Sequence, residues 1–168
     1  EVRRHLPALR GAIERLGREV DWALAVAPGA AGQLSRAALP GLPAADCATV
    51  LAAADVGLCA SGTATLEAAL AGVPTVVFYR LSGPSHLIAR ALVRVPTVAL
   101  PNLVLGRRVL PELLQRQLTP RRLARELRLL LRAPIHRWTT AQLARLRPML
   151  GPPGVARRVA QLGLQLLR

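Results

Sequence analysis

The sequence holds 168 residues, the size of one domain or slightly more, with enough apolar material for a real core. Hydrophobic residues make up 52% and the mean hydropathy is +0.33, yet no apolar run reaches the ~20 residues of a membrane-spanning helix. Aromatic residues are only 2%, too few for the stacking platforms of single-strand nucleic-acid readers, so no nucleic-acid partner is expected.

The 23 basic residues are all Arg, which reads as a coding bias. Their distribution says more. Residues 1–79 carry six Arg against seven acids, whereas residues 80–168 carry seventeen Arg against two acids. The second half is expected to face something anionic: phosphate, nucleic acid or a phospholipid surface. Cys47 and Cys59 form no disulfide framework and have no metal spacing, and His5, His86 and His136 are scattered, so no metal site is expected. There is no secretory leader pattern and no Met at position 1, so the chain reads as a fragment.

In chain order, Val2, Leu6, Leu9, Ile13 and Leu16 recur at helical spacing and predict an amphipathic helix over 1–18. "DWALAVAP" (21–28) reads as a buried strand stopped by Pro28. Residues 29–43 are rich in Gly and Pro and hide at most a short helix and a short strand. Residues 43–55 read as a helix with Asp46 near its start, 56–60 as a short strand, and Ser61-Gly62-Thr63 as a turn into a helix that ends at Gly72. "TVVFY" (75–79), β-branched, aromatic and bounded by Pro74, is the clearest strand. A helix over 84–94 and a strand over 97–100 follow. After Pro101 no further strand is visible. Thr119-Pro120 is a good helix start, with Leu123, Leu127, Leu130 and Leu131 on one face and Arg121, Arg125, Arg128 and Arg132 on the other. Residues 133–150 read as another helix, and Val155, Val159, Leu162 and Leu166 mark the last.

Short apolar strands alternating with helices predict an α/β fold, a Rossmann-like parallel sheet flanked by helices, over residues 1–118. An Arg-rich helical extension, 119–168, packs on it or is swapped to a partner.

In such sheets ligands bind where strands end and helices begin. Ser61-Gly62-Thr63 sits at such a turn: Gly62 permits close backbone approach, the helix start offers N–H groups and a positive dipole end, and both hydroxyls can add donors. Glu67, one turn along, could accept both hydroxyls of a ribose. An ordinary helix start with a solvated Glu67 fits the same residues. Asn102 reads as a turn residue or as a contact to a base or phosphate. Gly106 followed by Arg107 and Arg108 could bring guanidinium groups to a leaving diphosphate, and could equally be a solvated loop. Arg80 follows a strand and so lies at the same edge of the sheet. There is no Gly-x-Ser-x-Gly elbow, no Walker sequence and no G-x-G-x-x-G, so no cofactor is expected.

"ADVGLCASGTATLEAALAGVPTVVFYR" (54–80) and "LPNLVLGRRVLPELLQ" (100–115) together resemble the lipid-A-disaccharide synthase family, inverting glycosyltransferases of the two-Rossmann-domain GT-B type. The start of the chain resembles the helix that follows that family's Gly-Ser-Arg turn, and "TPRRLARELRLLL" resembles its tail. The resemblance covers the donor-binding half and implies a reaction in which UDP-2,3-diacylglucosamine donates its sugar to 2,3-diacylglucosamine 1-phosphate, without a metal. It implies that Ser61, Gly62 and Thr63 hold the diphosphate and Glu67 the ribose, while Asn102, Gly106 and Arg107 border the nucleotide with Arg80 nearby. The general base belongs to the amino-terminal half, which is absent, so the chain alone is expected to be inactive. The family implies a cytoplasmic protein, peripheral on the inner face of the bacterial inner membrane, with dimers that exchange carboxyl-terminal segments. Two alternatives are another UDP-sugar-dependent GT-B enzyme and a non-catalytic basic module for membrane or RNA.

Overall fold

β4 (Thr75–Tyr79) is the centre of the structure, and its sequence explains why. Thr75 to Phe78 are all buried, so the strand needs cover on both faces and neighbours on both edges. The computed structural model describes residues 2–26, 39, 41–80 and 97–166. In it β3 (Gly57–Ala60) and β5 (Glu112–Leu114) flank β4, and both pair with it in parallel, Leu58 opposite Val76 and Leu113 opposite Phe78. A separate two-stranded parallel sheet joins β1 (Leu24–Val26) to β2 (Ala44–Asp46). The fold is therefore α/β with parallel sheets flanked by helices.

Alternation along β4 divides the core. Val76 and Phe78 point to one face, where Ala8, Ala12 and Leu16 of α1 (Val2–Leu16) meet Leu123, Ala124, Leu127 and Leu130 of α5 (Pro120–Leu131). Val77 points to the other, against α3 (Thr63–Leu70), α4 (Leu100–Leu105), α6 (Ala133–Leu143) and α7 (Leu146–Met149), through Ala69, Leu143 and Leu146 with Leu66, Val104 and Leu105 around them. Gly11 makes the α1–α5 contact possible: a Cβ there would lie 2.8 Å from Pro120 Cγ. Thr119 caps α5, its hydroxyl accepting the Arg122 N–H at 3.3 Å. Truncating Leu123 or Leu127 to Ala removes about 2–5 kcal/mol each.

α2 (Cys47–Ala53) is capped by Asp46, whose carboxylate accepts the Thr49 N–H at 3.0 Å and the Thr49 hydroxyl at 2.6 Å. These bonds hold Asp46 below the usual carboxylate range. α8 (Val155–Leu166) buries none of its residues.

Several expectations change. The predicted strand 21–28 shortens to three residues and is half-exposed, because its sheet has only two strands among the described residues. The predicted helix 43–55 starts as β2, and α2 begins only after the Asp46 cap. Residues 97–99 form no strand. The place beside β4 belongs to β5, which apolar patterning missed because its first residue is a carboxylate. Residues 133–150 form two helices rather than one. Leu131 faces out at 38% exposure. Most of 29–43, and the helix expected over 84–94, lie outside the described residues.

Candidate functional site

The parallel register brings the carboxyl ends of β3 and β4 to one edge, where Ser61-Gly62-Thr63 leads into α3. The Ser61 N–H donates to Phe78 O at 2.9 Å, which continues the ladder one residue past β3. Gly62 then adopts φ 152° and ψ −169°, a region open essentially to glycine. It is the N-cap of α3 and has no side chain to offer. Its carbonyl accepts the Thr65 N–H at 3.1 Å and the Thr65 hydroxyl at 2.6 Å. Among the described residues, no hydrogen bond takes the N–H groups of Thr63 and Ala64, the first two of the helix.

Gly62, Thr63 and Ala64 are exposed, and a Cβ placed on Gly62 would meet nothing within 4 Å. The start of α3 is thus an open, positively polarised end at the carboxyl edge of a parallel sheet. Ser61 plays a different part from the one expected. Its hydroxyl donates to Val98 O at 3.1 Å, which leaves Ser61 Oγ only its lone pairs for a ligand. Thr63 and the backbone N–H groups remain the donors. Glu67, one turn on, is also exposed.

Arg80 lies at this edge but turns away from α3. Its N–H donates to His5 Nε2 at 3.1 Å, and its guanidinium donates to Leu118 O at 2.8 Å and Gln115 O at 3.3 Å. The His5 ring stands edge-on to Phe78 at 5.1 Å. Arg80 therefore ties β4 to α1 and to the turn after β5, where Gln115 has a left-handed φ of 51°.

Asn102 is no turn residue and does not face a cleft. It lies in α4, fully buried. Its Oδ1 accepts the N–H groups of Val109 at 2.9 Å and Leu110 at 2.8 Å, and its Nδ2 donates to Leu110 O at 2.9 Å and Glu112 Oε1 at 2.8 Å. All four bonding positions of the amide are filled internally. Gly106 ends α4 in the left-handed conformation, φ 63°. α4, about 9 Å long at 1.5 Å per residue, starts near Ser61 and runs away from it. Residues 106–111 then lead into β5, whose first residue, Glu112, lies opposite Val77 in the middle of β4. Arg107 packs on Trp138, 5.4 Å from the ring centroid, and reaches Gln142 at 3.5 Å. The structure therefore brings Ser61, Gly62, Thr63 and Glu67 together and leaves Gly106 and Arg107 apart from them.

Sequence reasoning missed Glu112, which is 4% exposed. Its carboxylate accepts the Thr97 hydroxyl, the Val98 and Ala99 N–H groups at 3.1 Å each, and Asn102 Nδ2. Burial acts to raise its pKa, but the bonds from Thr97, Asn102, Val98 and Ala99 outweigh burial, and the acid stays below the ordinary range. Its signal in the sequence was its isolation: residues 80–168 hold only two acids. Cys59, beneath α3, is pushed up to about 11 by burial, Glu67 and Cys47, which removes it as a thiolate nucleophile near neutrality. Of the α5 Arg stripe, Arg128 pairs with Glu19 at 2.6 Å and Arg125 with Glu126, so part of that charge is already spent.

The profile of the lipid-A-disaccharide synthetase family matches residues 41–147, a span that contains the open start of α3 and the whole of the Asn102–Glu112 cluster. The chain belongs to that family. Its members are glycosyltransferases of lipid A biosynthesis. A lipid-A-disaccharide synthase of Syntrophus aciditrophicus is 42% identical over 139 residues, 81% of this chain and 36% of the relative. One from Anaeromyxobacter dehalogenans is 42% identical over 182 aligned residues, covering 100% of this chain and 47% of the relative. One from Myxococcus xanthus is 38% identical over 178, covering 99% and 46%. The chain thus spans less than half the length of these curated relatives. No helix among the described residues is long and apolar enough to cross a membrane.

Proposed function

We propose that this chain is the donor-nucleotide half of a lipid-A-disaccharide synthase and that the open start of α3 grips the diphosphate of UDP-2,3-diacylglucosamine. The observation that carries the reading is the uncapped, exposed amino end of α3, led by a glycine in a conformation other residues avoid. The N–H groups of Thr63 and Ala64 and the Thr63 hydroxyl bind phosphoryl oxygens, and Glu67 accepts the ribose hydroxyls. In the transfer, a hydroxyl of 2,3-diacylglucosamine 1-phosphate forms the new bond to the anomeric carbon as the bond to UDP breaks. Charge develops on the departing diphosphate, where positioned N–H donors stabilise it. The proton goes to a base contributed by the part of the relatives that this chain does not match. Asn102 supports this site from within rather than bordering the nucleotide, and Arg107 stays on Trp138.

The exposed apolar stripe of α8, with Arg157 and Arg158 beside it, supports a place for this segment at the anionic inner face of the inner membrane or in exchange between two copies. Flotation with anionic and with neutral liposomes separates these: only the membrane reading requires the anionic lipid.

The deciding experiment is a melting curve with about 1 mM UDP. Ligand bound to the folded chain alone raises the melting temperature by a few degrees once its concentration is well above Kd. An unmoved curve contradicts the reading.

A further inference from the structure

We propose that Glu112 is a positioning residue for the diphosphate turn, acting through Val98 and Ser61; the functional half of this inference rests on the reading of that turn as the nucleotide site. Glu112 stands at the start of β5, four residues from the nearest charged neighbours in sequence, Arg108 and Arg116, and is almost completely buried. No cation meets its carboxylate among the described residues. Arg108 reaches only its backbone carbonyl, at 3.3 Å. A buried acid without a cation gives little stability that an apolar residue of the same size would not match, so its presence calls for a geometric reason.

The hydrogen bonds supply one. Four donors converge on the two carboxylate oxygens, three of them from the consecutive residues Thr97, Val98 and Ala99. Among the described residues those three have no strand partner, and the carboxylate takes the Val98 and Ala99 N–H groups that a strand would otherwise pair. Val98 is the relay. Its N–H donates to Glu112 Oε2 at 3.1 Å, and its carbonyl accepts the Ser61 hydroxyl at 3.1 Å. One short chain of bonds therefore runs from β5 to the residue immediately before Gly62.

Only a carboxylate serves here. Two acceptor oxygens face four donors, and an amide would turn an NH2 group toward at least one N–H. An aspartate, one methylene shorter, would not reach Val98 and Asn102 together. The same carboxylate lies beside the amino end of α4, on the N–H groups of Val98 and of the N-cap Ala99, and Pro101 in the first turn lacks an N–H, so that end has an internal anion while the end of α3 has none.

The test uses Glu112→Gln in the full chain, with Thr97→Val as a milder variant that removes one of the four donors. Amide hydrogen exchange is measured without ligand. The expected result is at least about tenfold faster exchange at Ser61 and Thr65, the two amides of the turn that donate hydrogen bonds, as for the loss of one charge-assisted bond, with Leu127 and Leu130 of α5 unchanged. Thr97→Val gives a smaller change in the same direction, and it decides the question if Glu112→Gln does not fold. UDP affinity is then compared in Glu112→Gln, Ser61→Ala and the double variant. Each single change weakens binding about tenfold, and the double variant is no weaker than the worse single, because both cut the same link. Unchanged exchange at Ser61 and Thr65, an equal rise across α5, or additive losses of affinity overturn the proposal. If the unaltered chain does not bind UDP, the nucleotide reading fails, while the exchange comparison still decides whether Glu112 positions the turn.

Discussion

Two helix starts meet at the carboxyl edge of the sheet, joined by the Ser61–Val98 hydrogen bond, and they are finished in opposite ways. α4 is closed from inside, with a buried carboxylate on the N–H groups of Val98 and Ala99 and Pro101 in its first turn. α3 is led by Gly62, offers no cap of its own and opens on solvent. Both ends carry the same partial positive charge. The chain supplies an anion to one and none to the other. An uncapped helix start is common and by itself says little. It becomes informative when its neighbour has been given an internal anion and it has not.

The largest effect should come from breaking the closed end. Glu112→Ala orphans the Thr97, Asn102, Val98 and Ala99 donors at about 1–3 kcal/mol for each that stays buried and unpaired. Denaturant unfolding should show a loss of several times that of an ordinary surface change, and a loss under about 1 kcal/mol would mean that Glu112 anchors nothing. Gly62→Ala strikes the open end. Its strain should cost about 1–3 kcal/mol, less than the loss at Glu112, while the melting response to UDP disappears. A variant that keeps the full response would mean that the ligand does not approach this turn. Glu67→Ala is smaller still. Binding of UDP should weaken about tenfold, the worth of one hydrogen bond to a charged group, with the melting temperature unchanged. Equal affinities by titration would leave Glu67 merely solvated.

The closed end also makes the smallest, pH-dependent signal. Glu112 has a folded pKa below the ordinary value of 4.5, so its contribution to stability is complete above that value. It is lost as pH falls through the depressed folded pKa. Melting temperatures between pH 6 and about pH 3 should fall more steeply for the unaltered chain than for Glu112→Gln. Identical slopes would assign the acid sensitivity to other groups, such as Asp46 and Glu19, whose pKa values are also lowered.

How far the sequence reveals this arrangement depends on the range of the interactions. β4 and the turn into α3 are readable because a β-branched run and a Gly at a strand-to-helix junction are local signals. The Thr119-Pro120 start of α5 is readable for the same reason. Asn102 is misread because Pro-Asn has the local look of a turn, while the partners that bury it lie 7 to 10 residues further on. β5 is hidden because Glu112 interrupts its apolar pattern, and the donors that justify a buried acid sit 10 to 15 residues earlier. Arg80 is placed correctly at the sheet edge, yet its direction depends on the carbonyls of Gln115 and Leu118, some 35 residues away. Gly106 and Arg107 are adjacent in sequence to the site's support, but they follow α4 and Arg107 packs on Trp138 of α6, a long-range pairing that no local pattern records.

The most direct test of the central claim is a UDP titration followed by backbone amide NMR of the chain. The account predicts that the largest shifts fall on Gly62, Thr63 and Ala64, with smaller ones at Ser61 and Glu67 and little change at Arg107 and Arg108. Shifts centred on Arg107 and Arg108, or on α8, with the amides of 62–64 unmoved, would contradict it.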